Sequence, residues 1–277
     1  MNFMNKTNPI GVFDSGIGGL TVVKRITQLL PNEKIIYFGD TARVPYGPKS
    51  NETVIEYAIQ NTQFLLKKNV KLVVVACNTV SAVAMEELRK KFDIPFISMV
   101  EPGVNMALKQ SASKRIGVIG TNATINNKAY STALHKHLKK TKVYEKACPL
   151  FVPFAEEGLA DHKALQLVAK EYLTELKEKE IDTLILGCTH YPILAETIQK
   201  VIGKNVKLID SGTAASYTVE DHLNARGLRS SFVSEAKHEF YVTDIPSKFT
   251  EIAQRFLGKK LDYVEKIELD KEFLTVK

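Results

Sequence analysis

The sequence predicts an α/β protein of two pseudo-symmetric lobes, each a mainly parallel sheet flanked by helices, with the active site in the cleft between them. Three observations carry this. Short β-branched runs alternate with amphipathic helical stretches, which is the pattern of βαβ units. Turn residues follow most of those runs. The segment Leu72–Thr79 (LVVVACNT) is repeated in kind by Thr183–His190 (TLILGCTH).

Taken in order, the strand candidates are Pro9–Phe13, Lys34–Phe38, Leu72–Ala76, Ile94–Ser98, Arg115–Ile119, Thr183–Leu186 and Val206–Ile209. Between them, Asn51–Lys68 places Ile55, Ile59 and Leu66 on one helical face, and Lys163–Lys179 places Leu167 and Leu176 at similar spacing. The repeat extends both ways from the cysteines. Upstream, IGVFDSG from Ile10 resembles IGVIGTN from Ile116. Downstream, each half reads helix, strand and then a short acidic turn, Glu101–Gly103 in one and Asp210–Gly212 in the other. The matches share nearly one offset. The lobes are therefore drawn as residues 1–98 plus 209–277 and residues 99–208. The helical pattern near Ala214–Asn224 and the strand-like His238–Val242 are expected to pack back on the first lobe.

The composition narrows the function. With 277 residues, 44% hydrophobic and 25% charged, the chain has the balance of a soluble globular protein with ample core. No apolar run approaches the roughly 20 residues that span a bilayer. Met1–Pro9 is polar and has no apolar core of a leader, so the expected location is cytoplasmic. The three cysteines, Cys77, Cys148 and Cys188, form no CxxC pair, which argues against a disulfide framework and a structural zinc site. The net charge of +7 invites a nucleic-acid reading. Lysine and glutamate are interspersed, however, as in Glu171–Glu180, so the charge reads as solvated surface with a positive field suited to a small acidic substrate.

In parallel α/β sheets, ligands bind beyond the carboxyl ends of the strands. Polar residues directly after strands thus have the best claim to chemistry. Cys77 and Cys188 each end a strand and precede a helix, whose N-terminus is expected to favour thiolate and lower the thiol pKa from about 8.5. A single cysteine is more simply a small buried hydrophobe. Two at matched positions suggest paired acid/base work: one thiolate removes a proton from one face of a tetrahedral carbon, and the other thiol returns one to the opposite face.

Other strand-end residues have two readings each. Asp14 and Ser15 are helix caps or site residues, and the nearby glycines allow close approach of backbone to a ligand. His190 is a structural histidine or a partner of Cys188 in proton transfer. Asn78, Thr79, Thr121 and Thr189 cap helices or bind carboxylates. Tyr46 and the Gly47 backbone lie in a structured loop and are candidate substrate contacts; Arg43 in that loop pairs with a substrate carboxylate or with Asp40. Glu156, after the apolar Pro149–Phe154 run, belongs to a surface loop or to a proton network beside Cys188. Cys148 has no counterpart in the repeat and reads as structural.

Assembled, four motifs resemble the aspartate/glutamate racemase superfamily: Phe13-Asp-Ser-Gly-Ile-Gly-Gly-Leu-Thr21, Gly39-Asp-Thr-Ala-Arg-Val-Pro-Tyr-Gly47, Ala76-Cys-Asn-Thr79 and Gly187-Cys-Thr-His-Tyr-Pro192. They span roughly residues 9 to 220, in family order. The resemblance implies interconversion of L- and D-glutamate without pyridoxal phosphate, metal or nucleotide, supplying D-glutamate for peptidoglycan, hence cell-wall biogenesis and cell shape. It implies Cys77 as the base for the D-enantiomer and Cys188 for the L-enantiomer. Asp14, His190 and Glu156 assist them, and Asp14, Ser15, Tyr46, Gly47, Asn78, Thr79, Thr121, Thr189 and His190 line the substrate site. A homodimer is the expected assembly; membrane, nucleic-acid and gyrase partners are not expected. A racemase for aspartate or a hydantoin, and a two-lobed amino-acid sensor, are the rival readings.

Overall fold

Runs such as LVVV and TLILG have no polar face, so both sides of the sheets they join must be covered. A computed structural model describes residues 5–231, 236–245, 248–261 and 263–269, and among these the strands form two parallel sheets. The strands are β1 Ile10–Asp14, β2 Ile35–Gly39, β3 Leu72–Val75, β4 Phe96–Ile97, β5 Arg115–Gly120, β6 Lys142–Ala147, β7 Thr183–Gly187, β8 Lys207–Asp210, β9 Glu239–Val242 and β10 Glu265–Lys266. One sheet runs β10-β9-β2-β1-β3-β4 and the other β6-β5-β7-β8. The order β2-β1-β3-β4 is that of β6-β5-β7-β8, so the repeat in the sequence is a repeat in topology. In register, Phe13 pairs with Val75 and Gly120 with Gly187. The loops after β1 and β3, and after β5 and β7, therefore open at the same end of each sheet.

The core follows the two faces. Phe13, Phe38 and Val75 pack under the helix Asn51–Lys67. Ile10, Val12 and Val74 face the helices Leu20–Leu29 and Phe249–Leu257, and this cluster continues through Leu184, Leu186 and Tyr191 of the other half. The apolar core thus crosses between the halves.

Four expectations change. Glu101–Gly103 is not a turn but the start of the helix Val100–Gln110, where a proline in the first turn loses no hydrogen bond. Asp210 ends β8 and caps the helix Ser211–Ala225, accepting from the Gly212 amide at 2.9 Å and the Thr213 hydroxyl at 2.7 Å. Each helix packs within its own half, Ser211–Ala225 on Leu20–Leu29 and Val100–Gln110 on the helix Ala129–His137, and the two meet across the divide. The segment around Glu156 is the helix Phe151–Glu156, not a loop, with Glu156 as its last residue. Strand β6 (KVYEKA) had no sequence signal, because an edge strand half open to water carries lysine and glutamate between its apolar residues.

Candidate active site

Strands β1 and β3 deliver Asp14 and Cys77 to one rim of the cleft; β5 and β7 deliver Thr121 and Cys188 to the other. The loop after β2 closes over them. The result is one cavity of about 60 Å3, with both sulfurs in its wall. A single water needs about 10–15 Å3, so the space is that of a few waters. Every site residue proposed from the sequence lines this cavity except Asp14. A larger groove of about 720 Å3 runs beside β9 and β10, but no thiol lines it.

Cys77 caps the helix Asn78–Val83, and its thiol donates to the Ser15 hydroxyl at 3.4 Å. The sequence suggested that a helix N-terminus lowers this thiol's pKa. The structure reverses that: burial, with the Asp14 charge, pushes it up to about 12, and the Ser15 hydroxyl and Val80 amide only partly oppose the shift. Desolvation of a nearly enclosed thiolate outweighs the field of one short helix. Asp14 sits behind the wall rather than in it. It is fully buried; Oδ2 accepts from the Gly16 amide at 3.0 Å, and Oδ1 has no hydrogen-bond partner among the described residues. Burial raises its pKa, opposed by the His190 charge and the amides of Gly16, Gly19 and Ser15.

On the other side, His190 bridges Cys188 and Glu156. Its Nδ1 lies 3.8 Å from Cys188 Sγ and its Nε2 lies 2.9 Å from Glu156 Oε1. Burial by itself works against a charged ring, but the hydrogen bonds and charges of Cys188 and Glu156 prevail and raise its pKa to about 10. At neutral pH the ring is therefore an imidazolium that can donate at both nitrogens. Gly18 explains how the other half reaches this ring. A Cβ there would stand 2.3 Å from Thr189 Oγ1 and 2.5 Å from the His190 ring, so only glycine lets the turn after β1 seat against it. The Thr21 hydroxyl adds a bond to the Thr189 carbonyl at 2.9 Å.

The remaining polar residues tie the two halves together across the cavity. Thr79 and Thr121 share a hydroxyl–hydroxyl contact at 2.9 Å, while Thr121 also caps the helix Asn122–Asn126 through the Thr124 amide. Cap and wall are thus one residue. Asn78 Oδ1 accepts from the Tyr130 hydroxyl at 2.6 Å, and its Nδ2 donates to Ser211 Oγ at 3.3 Å. Gly47 closes the top, with room for no more than a tight Cβ against Thr121.

In the same loop, Tyr46 lines the cavity, but its hydroxyl bonds Asp40 and accepts from the Asn61 amide. Arg43 takes the second of its two readings: it pairs with Asp40 at 2.7 Å and lies over the Tyr57 ring at 3.9 Å. Asp40 is buried, however, not at the surface. Cys148 is buried away from the cavity, its thiol directed at the Lys146 carbonyl.

Sequence reasoning missed Val152 in the wall, whose apolar helix offered no polar signal, and Phe256, whose ring meets the His190 ring edge to face at 5.2 Å. Among the described residues, no group of three or more His, Cys, Asp or Glu side chains is placed to hold a metal ion, and no helix is long and apolar enough to cross a membrane.

Comparison with known proteins places this geometry. A family model described as Asp/Glu/Hydantoin racemase matches residues 10–217. A glutamate racemase from Chlorobaculum tepidum is 49% identical over 263 residues, covering 95% of this chain and 97% of its own. The crystal structure of glutamate racemase from Francisella tularensis in complex with D-glutamate superposes with a TM-score of 0.90 at 44% identity, covering 96% of this chain and 99% of that one. A glutamate racemase isoform from Bacillus anthracis gives 0.92 at 39% identity, with the same coverage.

Proposed function

This chain belongs to the Asp/Glu/hydantoin racemase family, and we propose that within it the protein interconverts L- and D-glutamate by moving the α-proton between Cys77 and Cys188. The observation that carries this reading is the single cavity lined by both sulfurs, each with its own ionisable neighbours.

In the proposed reaction, the Cys188 thiolate removes the α-proton of L-glutamate and the Cys77 thiol delivers a proton to the opposite face. D-glutamate forms, leaving a thiolate at Cys77 and a thiol at Cys188; the reverse direction exchanges the roles. Which cysteine serves which enantiomer follows the family resemblance. The environments suit these tasks. Burial holds Cys77 as a neutral thiol able to donate. The His190 imidazolium, held by Glu156, gives a Cys188 thiolate an ion-pair partner. Asp14 acts from behind Cys77, through charge and not through contact with the cavity.

An amino-acid α-proton is far less acidic than a thiol. The site must stabilise the developing carbanion by positioning, by oriented donors and by excluding water. Ser15, Thr79, Thr121 and Thr189 offer hydroxyl groups, Asn78 an amide and Gly47 its backbone; these would hold the two carboxylates and the ammonium. Two lobes, residues 1–98 plus 209–277 and 99–208, would open to admit substrate and close to expel solvent. The product would feed peptidoglycan synthesis in the cytoplasm, from a homodimeric enzyme.

The test is circular dichroism of L-glutamate with purified protein in D2O and no added cofactor. Decay of the signal to zero with deuterium at Cα is the expected result. A signal that persists with folded protein, while L-aspartate or a hydantoin racemises, would overturn the choice of substrate; persistence with all three would overturn the reaction.

A further inference from the structure

The two halves support their ionisable partners differently. Asp14 lies at the end of a central strand and is fully buried. Glu156 is the last residue of a helix of six residues, Phe151–Glu156, and its side chain is 38% exposed. So short a helix has little stability of its own. Backbone bonds close its end, from the Leu159 amide to the Phe154 carbonyl at 2.9 Å and from the Gly158 amide to the Ala155 carbonyl at 3.3 Å, but they leave that end to be placed against His190.

The C-terminal helix Phe249–Leu257 adds a side-chain clamp on that end. This helix packs on Leu20–Leu29 of the first half yet reaches across to the second. The Arg255 guanidinium donates through Nη1 to the Glu156 carbonyl at 2.8 Å and to the Ala155 carbonyl at 3.3 Å. The Glu156 carbonyl lies at the end of a helix, where a cation is favoured, while the Ala155 carbonyl also accepts from the Gly158 amide at 3.3 Å. Its Nη2 donates to Glu251 at 2.8 Å on the same helix, which orients the fork. The chain makes room for it: Gly158 has φ +72°, and a Cβ there would stand 2.6 Å from Arg255 Nη2. The next residue along, Phe256, sets its ring against His190. Lys248 at the start of the same helix pairs with Glu157 at 2.7 Å. One helix therefore grips both members of the Glu156–His190 pair and the residue after them, although none of its own residues lines the cavity.

We infer that Arg255 is a positioning residue for the Glu156–His190 pair, acting by fixing the helix end that carries Glu156. The inference rests on the racemase reading above for its kinetic consequence only. The guanidinium touches backbone and not the Glu156 carboxylate, so its effect is on geometry.

The experiment compares Arg255→Met, Arg255→Lys, Glu156→Gln and the double variant Arg255→Met/Glu156→Gln. It reads kcat/KM for glutamate against pH and follows the His190 ring by NMR titration. Arg255→Met keeps the stem over Gly158 and removes the donors. It should lower kcat/KM roughly 10- to 100-fold, the scale of a small misplacement of a reacting group. It should lower the His190 pKa, and it should cost nothing further in the Glu156→Gln background, because both changes break one link. Arg255→Lys keeps the charge with a poorer fork and should recover part of both effects. Losses that multiply in the double variant, or a His190 titration unmoved in both Arg255 variants, would overturn the inference. The NMR readout does not depend on turnover. A wild-type protein that racemises nothing sinks the racemase reading alone, and the titration still decides the role of Arg255.

Discussion

Tyr130→Phe removes the short bond that spans the cleft, together with a long contact of the same hydroxyl to the Met99 carbonyl at 3.5 Å. Tyr130 lies on the helix Ala129–His137 of the second half, is fully buried, and donates at 2.6 Å to Asn78 Oδ1 of the first. The substitution keeps the ring and removes only the hydroxyl. What changes is that a buried amide oxygen loses its close donor, and leaving such an acceptor unsatisfied costs about 1–3 kcal/mol. For chains of this size, each kcal/mol moves Tm by roughly 2–4 °C, so a fall of about 2–12 °C is expected by scanning calorimetry. Against a typical stability of about 5–15 kcal/mol the variant stays folded at 25 °C. Any kinetic effect there reports position, not unfolding. Asn78 keeps only its longer bond to Ser211 at 3.3 Å and lines the cavity, so kcat/KM should fall about tenfold, the equivalent of about 1.4 kcal/mol. A Tm within about 1 °C of wild type together with unchanged kcat/KM would show that this hydroxyl carries no weight, and that the halves are registered by apolar packing alone.

Three further outcomes are expected. Cys77→Ser and Cys188→Ser should each lower racemisation by roughly 10²–10⁴-fold with an unchanged circular dichroism spectrum, and full activity in either variant would sink the two-thiol reaction. Gly18→Ala forces a methyl against the His190 ring and Thr189; it should cost about 1–3 kcal/mol in denaturant melts and lose a larger share of activity than of stability, and an active variant would contradict the close approach. His190 has a pKa raised from 6.5 to about 10 in the folded protein, so its contribution to stability is present in full below pH 6.5 and is lost as pH rises through about 10. Urea melts across that window should therefore show wild type losing stability more steeply than His190→Gln, and parallel slopes would refute the assigned charge.

The parts of the fold legible in the sequence are those where one physical demand dominates. Central parallel strands must be apolar on both faces, so LVVV and TLILG announce themselves, and the polar residues after them mark the cleft. Where two demands compete, the sequence reading fails. Lys142–Ala147 is a strand, but its edge position admits lysine and glutamate. Pro102 and Gly103 suggest a turn, yet a first helical turn tolerates both. For Cys77, a helix N-terminus and burial pull the pKa in opposite directions, and only the structure shows how completely the thiol is enclosed. Arg255 was invisible for another reason. An arginine beside a glutamate at helical spacing reads as a solvated ion pair, and its partner carbonyls lie nearly a hundred residues away in the chain.

The asymmetry between the halves has a limited kinetic meaning. Enantiomers are equal in free energy in water, so the ratio of kcat/KM in the two directions of a racemisation is fixed at unity whatever the protein does. Different partners for the two sulfurs therefore cannot favour one direction in kcat/KM. They can set only which protonation state rests between turnovers, and how each direction divides its shared barrier between kcat and KM. Burial pushes the Cys77 thiol up, and Glu156 with Cys188 pushes His190 up, so the two sulfurs stand in unlike electrostatic surroundings. The topological repeat supplies two equivalent strand ends. The departures from that repeat, Asp14 behind one sulfur and His190 with Glu156 beside the other, are what make those ends unlike.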